Sequence, residues 1–383
     1  MDFDDTPGEA EVRAAARRWL EANAKPLDPS APRTGNGDEA EHVRRCKEWQ
    51  RTLYDGGWAG LTWPVEYGGR GASPIEAAIF NQEQARFEVS TGVFAVGIGM
   101  VGPTLIAHGS AAQKARYLDP LLRGEEVWCQ LFSEPGAGSD LASLSTRAVA
   151  DGDGWLVNGQ KVWTSGAHFS DFAILLARTD PAAPTHEGIT FFVVDMRTPG
   201  IEVRPLRQIT GAAHFNEVFL TDVRVPAGNV VGEVGGGWRV ARTTLMSERT
   251  LIGGGHGAGF EDIRNLARDT GADRHPLHRQ ELAAAFTRWE LIRYLGYRIQ
   301  TALSKGQAPG PESSILKLVY SQHVSRTADL VVAMQGTEGT LGGGYWATSF
   351  LNQWASRIGG GTDQIQRNII GERVLGLPRE PRA

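Results

Sequence analysis

A chain of 383 residues is too long for one small core and predicts two or three subdomains. Its hydrophobic share of 41% and charged share of 22% are ordinary for a soluble globular protein. A formal net charge of −5 leaves no electrostatic footprint for nucleic acid or for acidic membrane surfaces. Cys46 and Cys129 are too few for a disulfide scaffold, and nothing near them has zinc-ligand spacing. The N-terminal MDFDDTPGEAE lacks the charged and apolar regions of a signal peptide. The longest apolar run, VFAVGIGMVGPTLIA at 93–107, is too short to span a bilayer and contains Gly and Pro. The expectation is a reduced, soluble, cytoplasmic protein with no membrane insertion.

Residues 9–23 and 39–55 show helical apolar spacing, with Val12, Ala16, Trp19 and Leu20 on one face. A Gly/Pro turn at 60–71 precedes a further helical stretch at 74–88, and helical character continues to about Leu122. From 126 to 231 the chain turns to short runs rich in Val, Ile, Phe and Thr, such as 172–178, 189–195 and 217–225. Turn residues punctuate them, which predicts a small antiparallel β domain. From Trp238 helical spacing returns at 238–251, 258–269, 277–304, 311–334, 346–356 and 363–375. The expected division is 1–122 helical, 123–231 β and 232–383 helical, an α+β chain.

Three strings stand out. SEPGAGSD at 133–140 and NGQKVWTSG at 158–166 read as Gly- and Ser-rich turns flanking a strand-like WLVN at 155–158. Glycines let backbone N–H groups approach a ligand closely, although from spacing alone a tight turn capped by Ser139 and Asp140 is the plainer reading of the first string. Trp163 beside hydroxyls and free N–H groups suits a planar, hydrogen-bonding cofactor such as a flavin; core packing is the plainer reading for a Trp. The third string is GGGTDQIQRNIIGERVLGLP at 359–378. In this order the three closely resemble the acyl-CoA dehydrogenase family, over nearly the whole chain. The resemblance implies an N-terminal helical domain, a middle β-barrel or sheet domain and a C-terminal four-helix-bundle domain. It also implies FAD, with Phe132 and the Ser133 amide at the flavin's pyrimidine edge, Trp163 against the ring, and Ser165 donating to the N5 region. Ser139 would contact the CoA pantetheine. Leu131 and Phe132 stand where smaller residues are commoner.

The reaction implied is α,β-desaturation of an acyl-CoA, with the α-proton leaving to a carboxylate and the β-hydride to flavin N5. In the medium-chain branch a Glu in the C-terminal loop is the base, but that position here is Gly360, in RIGGGTDQIQ. Isovaleryl- and long-chain-type members carry the Glu on an earlier helix, before an Arg, and LMSERT places Glu248 and Arg249 there. Glu248 is thus the expected base and Arg249 a partner for CoA; an ordinary solvated Glu-Arg pair is the alternative. The Gly360 N–H would bond the thioester carbonyl and stabilise the enolate. Thr362 and Gln364 match positions that contact the flavin's ribityl-diphosphate part, often in a neighbouring subunit. A homotetramer or mixed tetramer is therefore expected, passing electrons to an electron-transferring flavoprotein in fatty acid β-oxidation.

The match is loosest at the adenine end, where 266–281 keeps Pro276-Leu277 but puts Asp273 and Arg274 in the usual Phe-Gly slots. GGGHGAG at 253–259 follows a helical stretch, which argues against a dinucleotide fingerprint. Either close packing explains its glycines, or missing side chains widen the acyl pocket for a branched or polycyclic chain. SILK at 314–317 matches Ser-x-x-Lys without companion motifs. Three alternatives remain: an enzyme acting on carrier-bound acyl groups, an oxygen-using flavoenzyme of the same fold, and a subunit of a mixed tetramer.

Overall fold

The computed structural model describes residues 5–28, 38–253, 259–307, 310 and 312–379, without the side chains of 249–253 and 304. They fall into two compact units, one ending at Glu248 and one beginning at Arg249.

The first unit opens with α1 (Pro7–Asn23), started by a capping box between Thr6 and Glu9 with Pro at the first position. Its predicted apolar face turns inward: Ala16 and Leu20 are fully buried, and Trp19 meets the rings of Trp49, Trp58 and Phe80. Then come α2 (Glu39–Asp55), α3 (Pro74–Gln84), a single π-helical turn at Gly97–Val101, α4 (Gly102–His108) and α5 (Ala111–Leu122).

Seven strands follow: β1 (Trp128–Leu131), β2 (Arg147–Asp151), β3 (Gly154–Ser165), β4 (Phe172–Arg178), β5 (Ile189–Asp195), β6 (Ile201–Leu206) and β7 (Phe215–Pro226). Their order is β1-β4-β2-β3-β7-β6, with β5 also on β4. The sheet is mixed rather than antiparallel. β1 runs parallel to β4, Trp128 opposite Phe172, because the β2–β3 excursion between them reverses the chain before β4 returns. Alternate residues of β4 enter different cores: Ile174 and Leu176 join the helices, while Leu175 and Ala177 join Phe192 and Val218. Both faces are covered, so β4 and β5 are apolar apart from Arg178, Thr190 and Asp195. Helix α6 (Gly237–Gly253) follows the sheet.

The second unit is helical: α7 (Phe260–Asp269), α8 (Pro276–Ser304), α9 (Glu312–Gln335), α10 (Gly344–Ile358) and α11 (Asp363–Arg373). Central α9 packs against α8, α10 and α11. Ile263, Ala267, Ala285, Leu330, Val331 and Met334 form its core. Among the described residues no helix is long and apolar enough to cross a membrane.

Candidate active site

The string 158–166, read from sequence as a turn, is mostly strand. β3 pairs antiparallel with β7, but the register slips between Val157 and Gly159 and again between Lys161 and Thr164. In the second slip Trp163 adopts φ +61°, a left-handed conformation that a bulky residue rarely takes. Lys161 and Val162 are consecutively buried, and alternation resumes with Trp163 out, Thr164 in and Ser165 out. The bulge therefore turns an aromatic ring to solvent: Trp163 is 61% exposed, touched edge-on by Phe215 at 6.0 Å. Holding that backbone costs on the order of 1–3 kcal/mol. A core-packed Trp would need no such distortion.

The first string is a tight turn fastened to this bulge. Glu134 and Ala137 exchange backbone hydrogen bonds of 2.9 and 3.1 Å, and Val162 N–H donates to the Ser133 carbonyl at 2.9 Å. Among the described residues the Ser133 N–H has no hydrogen-bond partner. Behind the turn, the enclosed Lys161 donates to Phe132 O (3.0 Å) and Glu134 Oε1 (2.8 Å). Glu134 also accepts from Ser145 N–H, the Ser145 hydroxyl and Thr146 N–H, at 2.6–2.8 Å. Burial alone would raise the Glu134 pKa, but the Lys161 ammonium and these bonds outweigh it and hold the carboxyl at about 2. Burial pushes Lys161 down in turn. Phe132 contributes its carbonyl to this pair; its side chain is in the core, edge-on to Phe191 at 5.8 Å. Ser139 lies exposed on the turn's outer side.

Helix α6 is fixed by polar contacts inside the first unit. Thr104 donates to Met100 O at 2.7 Å, and its hydroxyl lies 2.9 Å from that of Thr244, which also reaches Val240 O at 3.5 Å. His108 Nε2 meets Thr243 Oγ1 at 2.8 Å, and Val240 and Ala241 are fully buried. Glu248 lies one turn beyond Thr244 on the same stripe and is half-buried. The side chain of Arg249 and the glycine-rich residues 254–258 lie outside the described residues.

In the second unit, loop 359–362 carries two left-handed glycines in succession, Gly360 at φ +64° and Gly361 at +86°. Thr362 caps α11 by accepting from Ile365 N–H at 3.2 Å, and Gln364 is exposed. The enclosed Gln366 donates Nε2 to Gly360 O (3.1 Å) and Gly361 O (3.4 Å), leaving its buried Oε1 without a partner. At the adenine-end segment Arg268 and Gln280 are exposed. Within the first unit the structure brings Ser133, Trp163 and Ser165 to one strand-and-turn assembly; Gly360, Thr362 and Gln364 share the second unit's loop. In the first unit the exposed Trp163 ring and the unpartnered Ser133 amide fit a flavin such as that of FAD, which needs an aromatic surface and hydrogen-bond donors at its edge. Among the described residues no group of His, Cys, Asp and Glu could hold a metal ion. Sequence reasoning missed Lys161, Glu134, Thr244 and Gln366; a Lys one or two places from an exposed Trp in a strand was the one available signal.

Comparison with known proteins agrees along the chain. Profiles described as acyl-CoA dehydrogenase N-terminal, middle and C-terminal domains match residues 6–125, 129–223 and 235–375. The acyl-CoA dehydrogenase IpdE1 of Mycobacterium tuberculosis is 40% identical over 97% of this chain and 98% of its own. Among solved structures, the Tcur3481-Tcur3483 steroid ACAD is 30% identical with a TM-score of 0.83, covering 99% of this chain and 100% of that one. The ChsE4-ChsE5 complex from Mycobacterium tuberculosis is 28% identical with a TM-score of 0.80, covering 99% and 100%.

Proposed function

Because the chain belongs to the acyl-CoA dehydrogenase family of FAD-dependent oxidoreductases, which desaturate acyl-CoA thioesters, we propose that Glu248 is its catalytic base. A carboxylate oxygen of Glu248 takes the proton from the substrate's α-carbon. Its half-buried position, fixed one turn beyond the Thr244 anchor, supports that role. The Gly360 N–H donates to the thioester carbonyl as negative charge develops there, a contribution of about 10²–10³ in rate for one such donor. FAD, when bound, supplies the acceptor for the β-hydride. Trp163 would flank the ring, the Ser133 amide and the backbone N–H of Phe132 would meet its pyrimidine edge, and Ser165 would donate to its central edge. Thr362 and Gln364 would serve the ribityl-diphosphate part, while Ser139 and Arg249 would hold CoA. The observation that carries this reading is the bulge, which holds an indole out beside an unpartnered amide at the expense of backbone strain.

The substrate proposed is a bulky, ring-containing acyl-CoA. This is supported by the steroid ACAD likeness. A mixed tetramer is favoured over a homotetramer, since the similar ChsE4-ChsE5 structure is a complex of two named chains. Electrons pass to an electron-transferring flavoprotein, and the reaction is a β-oxidation step in the cytoplasm. The test is anaerobic addition of straight-chain, branched and steroid side-chain acyl-CoAs to the FAD-loaded protein. Bleaching of the visible spectrum by the polycyclic class is expected; bleaching by straight chains alone overturns the substrate assignment. Glu248→Gln should bind FAD and lose reduction by substrate, and rapid reduction in that variant would falsify the base.

A further inference from the structure

We propose that Lys317 and Asp363 form a buried ionic latch that sets the shape of loop 359–362, making both of them positioning residues for polarisation of the thioester carbonyl. The inference rests on the reading of Gly360 as the carbonyl's donor. Lys317 ends the SILK string, which has no companions as a nucleophile motif, and in the fold it is fully enclosed within α9, as is Ser321 one turn later. Both aim at Asp363 Oδ1, Lys317 Nζ at 3.4 Å and Ser321 Oγ at 2.6 Å, while Arg357 Nε reaches Oδ2 at 3.2 Å. Asp363 is itself only 1% exposed. It is the first residue of α11, where the helix N-terminus also favours a negative charge.

An enclosed ion pair is a poor source of stability, because desolvation offsets its attraction and an apolar pair often packs as well. What it supplies is a fixed position. Three groups from α9 and the end of α10 pin Asp363, and its neighbours hold the loop. Thr362 caps α11, and Gln366 grips the carbonyls of Gly360 and Gly361. Consecutive left-handed glycines would otherwise sample a wide range of backbone angles. A carbonyl and the N–H of the same trans peptide point opposite ways, so gripping these carbonyls aims the N–H groups of Gly361 and Thr362 away from Gln366, and by fixing the peptide that follows Gly360 it limits the directions open to the Gly360 N–H. Hydrogen-bond donors to a developing oxyanion act only when held within a few tenths of an ångström of their target.

The test uses the FAD-loaded protein, the acyl-CoA that bleaches it fastest, and the corresponding trans-2-enoyl-CoA as a non-reacting probe. The carbonyl stretch of bound enoyl-CoA is recorded by infrared difference spectroscopy, with kcat and KM measured in parallel. In the wild type the stretch should fall on binding. In Asp363→Asn, and in the double variant Lys317→Met/Asp363→Asn, which removes both charges of the enclosed pair, most of that shift should vanish. In both, kcat should drop about tenfold or more while KM stays within about twofold. If the single variant fails to fold because Lys317 is left unpaired, the double variant decides. A wild-type shift and kcat retained in the folded variant overturn the latch. A wild type with no shift overturns the Gly360 reading, and the latch with it, a result distinct from the first.

Discussion

Replacing Glu134 by Gln tests how the turn at 133–140 is held. Glu134 accepts four hydrogen bonds, two on each oxygen, and one donor is the enclosed Lys161 ammonium. An amide nitrogen in place of either oxygen faces donors, and the Lys161 charge is left with only the Phe132 carbonyl and one amide oxygen. Breaking a buried pair from one side costs about 3–5 kcal/mol. Lys161→Met should cost less, about 1–3 kcal/mol, because Glu134 keeps three donors and only the Phe132 carbonyl is orphaned. In the Lys161→Met background, Glu134→Gln should therefore cost only about 1–2 kcal/mol, a coupling of roughly 2–3 kcal/mol. Urea unfolding of the four proteins, followed by circular dichroism, measures each term. Strictly additive effects, or a Glu134→Gln cost below about 1 kcal/mol, would refute the claim that this pair fixes the turn.

The same carboxylate predicts an acid limb. Its folded pKa of about 2 lies below the ordinary 4.5, so its stabilisation is complete above about pH 4.5 and is lost as pH falls towards 2. A pH series of unfolding midpoints should show that slope flattened in the double variant. Gly361→Ala places a Cβ 2.7 Å from Gln366 Nε2 at φ +86° and should cost at least about 1–2 kcal/mol; an unchanged melting midpoint would contradict the loop geometry. Thr244→Val removes one buried hydrogen bond while Thr104 keeps Met100, costing about 0.5–1.5 kcal/mol. It should also slow reduction by substrate more than it weakens binding, which stopped-flow spectra would show, since Glu248 sits one turn further along the helix.

Much of the architecture was legible in the sequence because β4 and β5 are covered on both faces and so read as largely apolar runs, and because α1 turns a single stripe inward. β6 was missed: an edge strand tolerates Pro205 and exposed Glu202 and Arg204, which look like a loop. The parallel β1–β4 pairing leaves no local trace, since it depends on how many times the intervening chain reverses. At the site, Trp163, Ser133 and the loop glycines were visible as residue types, but the bulge was not. A bulge is defined against β7, and the Gly and Ser residues of 158–166 are what made the string look like a turn. The buried partners of Lys161 and Lys317 left no trace in the sequence because nothing in one strand or helix announces a distant carboxylate.

The solvent-facing Trp163 also makes the protein its own optical gauge. Trp58, Trp63 and Trp128 are buried, so their emission belongs to an apolar surrounding, whereas an indole standing in water emits at longer wavelength. An isoalloxazine bound as proposed, against that indole, would absorb in the emission band and extinguish it at contact range. The difference between the fluorescence of the wild type and of Trp163→Phe therefore isolates one residue out of 11 tryptophans. Its quenching reports cofactor occupancy before any thioester is added.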